Sequence, residues 1–258
     1  MAGLLEGKNI VVMGVANQRS IAWGIAKSLH AQGAKLIFTN RQERSYKKLM
    51  QLLEKENIEP LAVVTCDVES DESITNAFDE IGEKVGVIHG LVHSVAFANT
   101  EELKGEYAHT SRDGFLLAQN ISAYSLVATA NAARKYMTEG GSIVTQSYYG
   151  AERVVKNYNV MGVAKASLEA SVRYLAEDLG KENIRVNTIS AGPIRTLSAK
   201  GVSGLNDIHG VIEEKAPLRR NVDQEQVGDA TMFLISDLSR GITGEVIHVD
   251  SGYHIIGM

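Results

Sequence analysis

The chain has 258 residues, 44% hydrophobic and 22% charged, with 26 Lys+Arg against 31 Asp+Glu and a formal charge of −5. An acidic balance argues against a general nucleic-acid binder, which needs a basic surface to displace counterions, and the composition excludes disorder or a fibrous repeat. A compact chain of this length buries roughly three quarters of its unfolded surface, and the single Cys66 permits no internal disulfide and suits a reducing compartment.

The opening MAGLLEGKN lacks the basic and long apolar regions of an export signal, and every apolar run breaks well short of the ~18 residues of a membrane span. The expectation is a soluble cytoplasmic protein with no membrane partner. With 3 Pro and no repeat or low-complexity tract, residues 1–258 are expected to form one domain.

Residues 8–15 (KNIVVMGV) read as the first strand, and 20–32 follow as a helix with Ile21, Ile25 and Leu29 on one face. Six further strands are predicted at 35–40 (KLIFTN), 61–67 (LAVVTCD), 87–95 (VIHGLVHSV), 142–147 (SIVTQS), 184–190 (IRVNTIS) and 246–249 (VIHV). Helical patterns lie between them, most clearly at 112–136 and 158–180. Apolar strands without alternation are buried on both faces, and crossovers of twenty or so residues imply parallel pairing through helices. The fold class is therefore α/β, a doubly wound Rossmann fold with a parallel sheet of about seven strands flanked by helices. Ligands on such sheets bind beyond the carboxyl ends of the strands.

After the first strand, Gly14 allows a tight turn, and small Ala16 and Ser20 let backbone approach a pyrophosphate at a helix N-terminus. The spacing departs from G-x-G-x-x-G, and an ordinary glycine turn with Ser20 as N-cap fits the same residues. After the second strand stands Arg41 rather than the acid that grips a ribose 2′-hydroxyl, with Arg44, Lys47 and Lys48 beyond it. A guanidinium there suits a 2′-phosphate, so NADPH is expected as the preferred cofactor with NADH as the alternative; Arg44, Lys47 and Lys48 also read as a solvated helix face. Asp67, beside Val68, either accepts from an adenine amino group or caps the next turn. Ser94, Val95 and Ala98 lie in a small-residue stretch where a nicotinamide-side ribose can rest against backbone.

If Tyr158 opens the helix, Lys165 follows at about 700°, some ~20° short of two turns, so the two share a face at the border of the stripe Met161, Ala164, Leu168, Val172, Leu175 and Leu179. A phenol there donates to an oxyanion while a lysine bonds a ribose; a buried Tyr with a snorkelling Lys fits as well. The stretch around 192–210, with Gly192, Gly201 and Gly204, suits a mobile lid or a plain loop. Lys200, Arg219 and Arg220 suit an acidic partner or simple solvation. The seven His show no metal-ligand pattern: His89 and His93, four apart on a strand, stand about 13 Å from one another.

The segments GVANQRSIAWGIA (14–26), HSVAFAN (93–99), RDGFLLAQNIS (112–122), NYNVMGVAKASLEA (157–170), NIRVN (183–187), SAGPIRTLSAKG (190–201) and HVDSG (248–252) run over nearly the full length. In them the chain resembles the enoyl-[acyl-carrier-protein] reductases of bacterial fatty acid synthesis, a branch of the short-chain dehydrogenase/reductase superfamily. Other members of that superfamily use Tyr-x-x-x-Lys, and none of the nine Tyr here has Lys four residues on. The resemblance implies that Tyr158 is the oxyanion-stabilising or proton-donating tyrosine, that Lys165 holds the nicotinamide ribose, and that Tyr148 is a second active-site tyrosine beside the acyl chain. It assigns cofactor contacts to Gly14, Ser20, Ile21, Asp67, Val68, Val95, Ile194, Arg195, Thr196, Leu197 and Ser198, a substrate contact to Ala98, and the 2′-ribose position to Arg41. Tyr149 stands where Leu is more usual. The implied reaction is reduction of the trans-2 double bond of an enoyl thioester on acyl carrier protein, by a homotetramer. A ketone or alcohol reductase of the same superfamily and a non-catalytic dinucleotide sensor are the competing readings; the missing Tyr-x-x-x-Lys weighs against the first, and the presence of both Tyr158 and Lys165 against the second.

Overall fold

Residues 3–196 and 205–256 are described by a computed structural model. Seven parallel strands form one sheet: β1 (Asn9–Val12), β2 (Lys35–Asn40), β3 (Ala62–Thr65), β4 (Gly90–His93), β5 (Gly141–Tyr148), β6 (Ile184–Ala191) and β7 (Val246–Val249). Their spatial order is β3-β2-β1-β4-β5-β6-β7. The order reverses between β1 and β4, and a ligand crevice opens beyond the carboxyl ends of the strands at that switch.

The strands at 8–15, 61–67 and 87–95 are shorter than the apolar runs that announce them, because pairing stops where the chain turns toward the crevice. At β1 that turn follows at Gly14, whose φ is +94°. Strands β5 and β6 extend to Tyr148 and Ala191, which are themselves register partners.

Apolar side chains on the two sheet faces form two cores. Helices α1 (Ile21–Ala31), α2 (Glu43–Lys55) and α8 (Gln224–Ile235) cover one, around Trp23, Phe38 and Leu234. Helices α3 (Asp71–Val85), α5 (Ser125–Arg134) and α6 (Asn159–Gly180) cover the other, around Phe78, Leu126 and Leu168. Burial on both faces is what makes the strands continuously apolar. Side-chain caps start several helices: Ser70 accepts from the Ser73 N–H, Ser111 from Gly114, and Asp223 from Glu225 and Gln226.

The helix expected at 112–136 is broken. It runs as α4 (Arg112–Gln119), a π turn over Asn120–Tyr124, and α5. Ser125 and Thr129 donate to the carbonyls of Ile121 and Ser125, four residues back, a bonding pattern that bends helices. The turn aims Ser122 at the strand end beyond β4, where its Oγ accepts from the Phe97 N–H and donates to the Phe97 carbonyl. The stretch around 192–210 is also more ordered than a loop at its far end, since α7 (Leu205–Lys215) begins inside it.

Where α1 crosses α8, two glycines face each other. A Cβ at Gly24 would stand 2.3 Å from the Gln224 carbonyl oxygen, and one at Gly228 would stand 2.7 Å from the Gly24 carbonyl oxygen. Lys27–Glu225 and Ser28–Asp229 bonds flank the crossing. Gly24→Ala forces the helices apart and is expected to cost about 1–3 kcal/mol, read as a lower urea midpoint with an unchanged m value.

Candidate active site

The first loop of the crevice is held by one hydroxyl. Ser20 Oγ accepts from the N–H groups of Ala16 and Asn17, each at 3.1 Å, and so does not cap α1. Ser20 is buried and Ile21 half-buried, while the first-turn amides of α1 point outward by helix geometry. Gly14 meets the β4 end so closely that a Cβ would lie 2.0 Å from the Ser94 carbonyl oxygen. Only glycine allows that approach with its positive φ, and the cradle so formed suits a pyrophosphate at a helix N-terminus.

At the β2 and β3 ends, Arg41 and Asp67 come together. Arg41 Nε donates to Asp67 Oδ2 at 3.1 Å and its Nη2 to Glu69 Oε2 at 2.5 Å, while the Glu69 N–H donates to Asp67 Oδ1. The Arg41 side chain is 55% exposed, so these are solvent-screened pairs that exchange at little cost. Val68, Ser94, Val95, Ala98, Ile194 and Thr196 are half-buried and Arg195 exposed. Leu197, Ser198 and Lys200 lie outside the described residues.

The β5 side carries the reactive groups. Tyr158 occupies the N-cap position of α6, one residue before the helix, and its carbonyl accepts from Met161 and Gly162. Its ring meets that of Tyr148 edge-to-face, centroids 4.9 Å apart and planes at 75°. Two glycines missed at the sequence level make room for it. A Cβ at Gly150 would lie 2.4 Å from Tyr158 Cδ1, and one at Gly162 would lie 2.8 Å from the Gly150 carbonyl oxygen. Their signal was present in the sequence, as a glycine directly after the two tyrosines and another four residues beyond Tyr158.

Lys165 does not lie at the border of the apolar stripe. It is 7% exposed, because α6 is covered over a wider arc that also buries Val160, Gly162 and Glu169. Its Nζ donates to the Gln146 carbonyl at 2.7 Å. Burial pushes its ammonium down to about 8, against the nearby Glu169, which holds it up. Burial raises the Tyr148 phenol to about 12 and the Tyr158 phenol further, with Tyr148 adding to the effect on Tyr158. Both phenols therefore remain hydrogen-bond donors at neutral pH. Beneath them His93 bridges Thr145 at 3.0 Å and Ser125 at 2.8 Å, and burial lowers its imidazole to about 3, so it stays neutral.

A family model described as enoyl-(acyl carrier protein) reductase matches residues 14–254. The chain belongs to this enoyl-(acyl carrier protein) reductase family. It is 65% identical, over 98% of its length and 99% of the relative's, to the Bacillus cereus enoyl-[acyl-carrier-protein] reductase [NADH]. A Staphylococcus aureus relative named as the [NADPH] enzyme is 62% identical over 98% of both chains. The solved Bacillus cereus enoyl-acyl carrier protein reductase with NADP+ and an indole naphthyridinone superposes with a TM-score of 0.97 at 64% identity, covering 99% of this chain and 100% of that one.

Tyr149 stands next to the tyrosine pair, directly after Tyr148. Its ring meets Tyr253 edge-to-face at 6.1 Å and its hydroxyl reaches the His254 carbonyl at 3.5 Å. The residue thus braces the wall behind Tyr148 against the C-terminal segment. Among the described residues no cluster of His, Cys, Asp and Glu fits a metal ion, and no helix is long and apolar enough to cross a membrane.

Gly150→Ala is expected to push the Tyr158 ring out of place. Small misplacements near reacting groups cost up to about 100-fold, so kcat should fall roughly 10- to 100-fold while dinucleotide binding, followed by fluorescence titration, stays near that of the unaltered protein.

Proposed function

We propose that this enoyl reductase reduces the trans-2 double bond of enoyl thioesters carried on acyl carrier protein, in the elongation cycle of fatty acid biosynthesis, with NADPH preferred over NADH. The observation that carries the reading is the pairing of Tyr158 with Tyr148 at the carboxyl end of β5, with buried Lys165 two turns along the same helix. The Gly14 cradle and the loop ordered by Ser20 fit the dinucleotide, with Ile21, Asp67, Val68, Ser94, Val95, Ile194, Arg195, Thr196, Leu197 and Ser198 as its further contacts.

When bound, the reduced nicotinamide supplies hydride to the β-carbon of the thioester. The chain's own groups manage the charge that this moves onto the thioester oxygen. Tyr158, kept protonated by its burial, donates to that oxygen as it becomes an enolate. Lys165 presents a positive charge toward the ribose side, keeping the Gln146 carbonyl as one acceptor and donating a second N–H to a ribose hydroxyl. Tyr148 and Ala98 bound the acyl chain, and residues 192–210 form the substrate-binding stretch. The Arg41 guanidinium exchanges Asp67 and Glu69 for the 2′-phosphate. The working form is a single-domain chain in a homotetramer in the cytoplasm.

Absorbance near 340 nm tests the reading. NADPH should be consumed with a crotonyl or longer enoyl thioester and not with a β-ketoacyl thioester; consumption with neither leaves a dinucleotide holder. Tyr158→Phe removes one oxyanion donor and should lower kcat roughly 10²–10³-fold; turnover near normal would take the phenol out of the chemistry. Because Lys165 works charged and loses its proton near pH 8, kcat/KM should fall above that pH with the loss of one proton. Arg41→Ala should lower kcat/KM for NADPH about tenfold, the scale of one charge-assisted contact, and leave NADH use little changed; equal or better use of NADH by the unaltered protein would overturn the preference.

A further inference from the structure

Glu169 is a carboxylic acid inside the protein that the reaction as described does not use. It is 7% exposed and lies four residues after Lys165, on the same face of α6. Ser147 Oγ donates to Glu169 Oε1 at 2.5 Å. Ser147 sits between Gln146, whose carbonyl takes the Lys165 ammonium, and Tyr148, whose ring packs on Tyr158. Two bonds one helical turn apart therefore clamp α6 to the end of β5, and Tyr148 lies directly beyond the second.

Buried carboxylates are costly and are retained where they are paired or hydrogen-bonded. The groups around this one are particular. From β5 comes the Ser147 hydroxyl, which favours the carboxylate; from β7 comes His248 and from α6 Arg173, which also favour it. Glu152, on the segment after β5, disfavours it, and burial pushes its protonation upward most of all. Glu152 is itself held by His248 at 2.6 Å, which stacks at 3.8 Å on His254, bonded in turn to Asp250. Lys165 faces Glu169 on α6, and from β4 it faces His93, which burial keeps neutral. Glu169 is thus the acidic group set against the Lys165 ammonium.

We propose that Glu169 is a positioning residue of the reduction: through Ser147 it fixes the strand end that carries the Gln146 carbonyl and Tyr148, and its carboxylate is the counter-charge of Lys165. This rests on the enoyl-reductase reading for its kinetic consequence, though its effect on dinucleotide binding does not. A carboxylate favours the ammonium, so removing its charge lets Lys165 lose its proton at lower pH.

The test is Glu169→Gln in the full chain, which keeps the shape and a partner for Ser147 but removes the charge. The alkaline fall of kcat/KM, and the alkaline fall of NADPH affinity measured by nicotinamide fluorescence without thioester, should both move down by about one pH unit, the scale of a neighbouring charge. At pH 6.5 turnover should stay within about threefold, since Lys165 is still charged there. Ser147→Ala cuts the tether: kcat should fall about tenfold through misplacement of Tyr148. Profiles for Glu169→Gln that superimpose on those of the unaltered protein would overturn the counter-charge, and an unaltered kcat in Ser147→Ala would overturn the tether. If Glu169→Gln does not fold, Glu169→Asn removes the same charge with a shorter side chain and should move both profiles down likewise, and unmoved profiles there overturn the counter-charge equally. A shifted binding profile with no enoyl turnover would leave Glu169 in place and remove the enoyl-reductase reading; enoyl turnover with unshifted profiles would do the reverse.

Discussion

The bond from the Lys165 ammonium to the Gln146 carbonyl is the constraint around which the reactive end is arranged. A lysine at 7% exposure is costly unless its charge is satisfied, and the only cheap partners inside a parallel sheet are carbonyls freed where a strand ends. β4 stops at His93, opposite Thr145, which leaves β5 without that neighbour from Gln146 onward, so the helix that carries Lys165 is pinned two residues before Tyr148. Tyr158, at the N-cap of the same helix, is brought onto Tyr148 as a consequence. The same burial that makes the ammonium expensive keeps both phenols protonated, so one desolvated layer sets the protonation states of three groups.

The rest of the crevice is built by removing atoms. Gly14 removes a Cβ that would meet the Ser94 carbonyl, Gly150 one that would meet the Tyr158 ring, and Gly162 one that would meet Gly150 itself. Polar side chains then take over where regular bonding stops: Ser20 gathers the loop before α1, Ser122 fastens the strand end at Phe97, and His93 ties β4 to β5 and α5. Each is a side chain at least half-buried and bonded to backbone or to a hydroxyl beside it, which holds the chain in one arrangement more firmly than exposed ion pairs do. The Arg41–Asp67–Glu69 group is of that weaker kind, which suits residues that must exchange partners when a ligand arrives.

Seven strands, their parallel pairing and the carboxyl-end location of the crevice followed from the period and burial of the apolar runs, because burial on both faces leaves a mark in every residue of a strand. The strand lengths at 8–15, 61–67 and 87–95 did not follow, since an apolar residue in a turn over a core looks the same as one in a ladder. The break at Asn120–Tyr124 escaped for a related reason: the apolar period continues across it, and only Ser122 reaching Phe97 shows why the helix must open. The α1–α8 crossing was likewise hidden, since nothing in the sequence pairs Gly24 with Gly228.

By itself the sequence determined the α/β class, the family through its spaced motifs, and the sharing of one helix face by Tyr158 and Lys165, because these depend on local period and residue type. Only the tertiary structure decided that Lys165 is buried rather than at a border, that Arg41 rests on Asp67 and Glu69, and that Glu169 and Ser147 lie beneath the reactive pair. Those depend on which surfaces pack over a helix and which charges from distant strands arrive beside it, and a linear pattern carries no record of either.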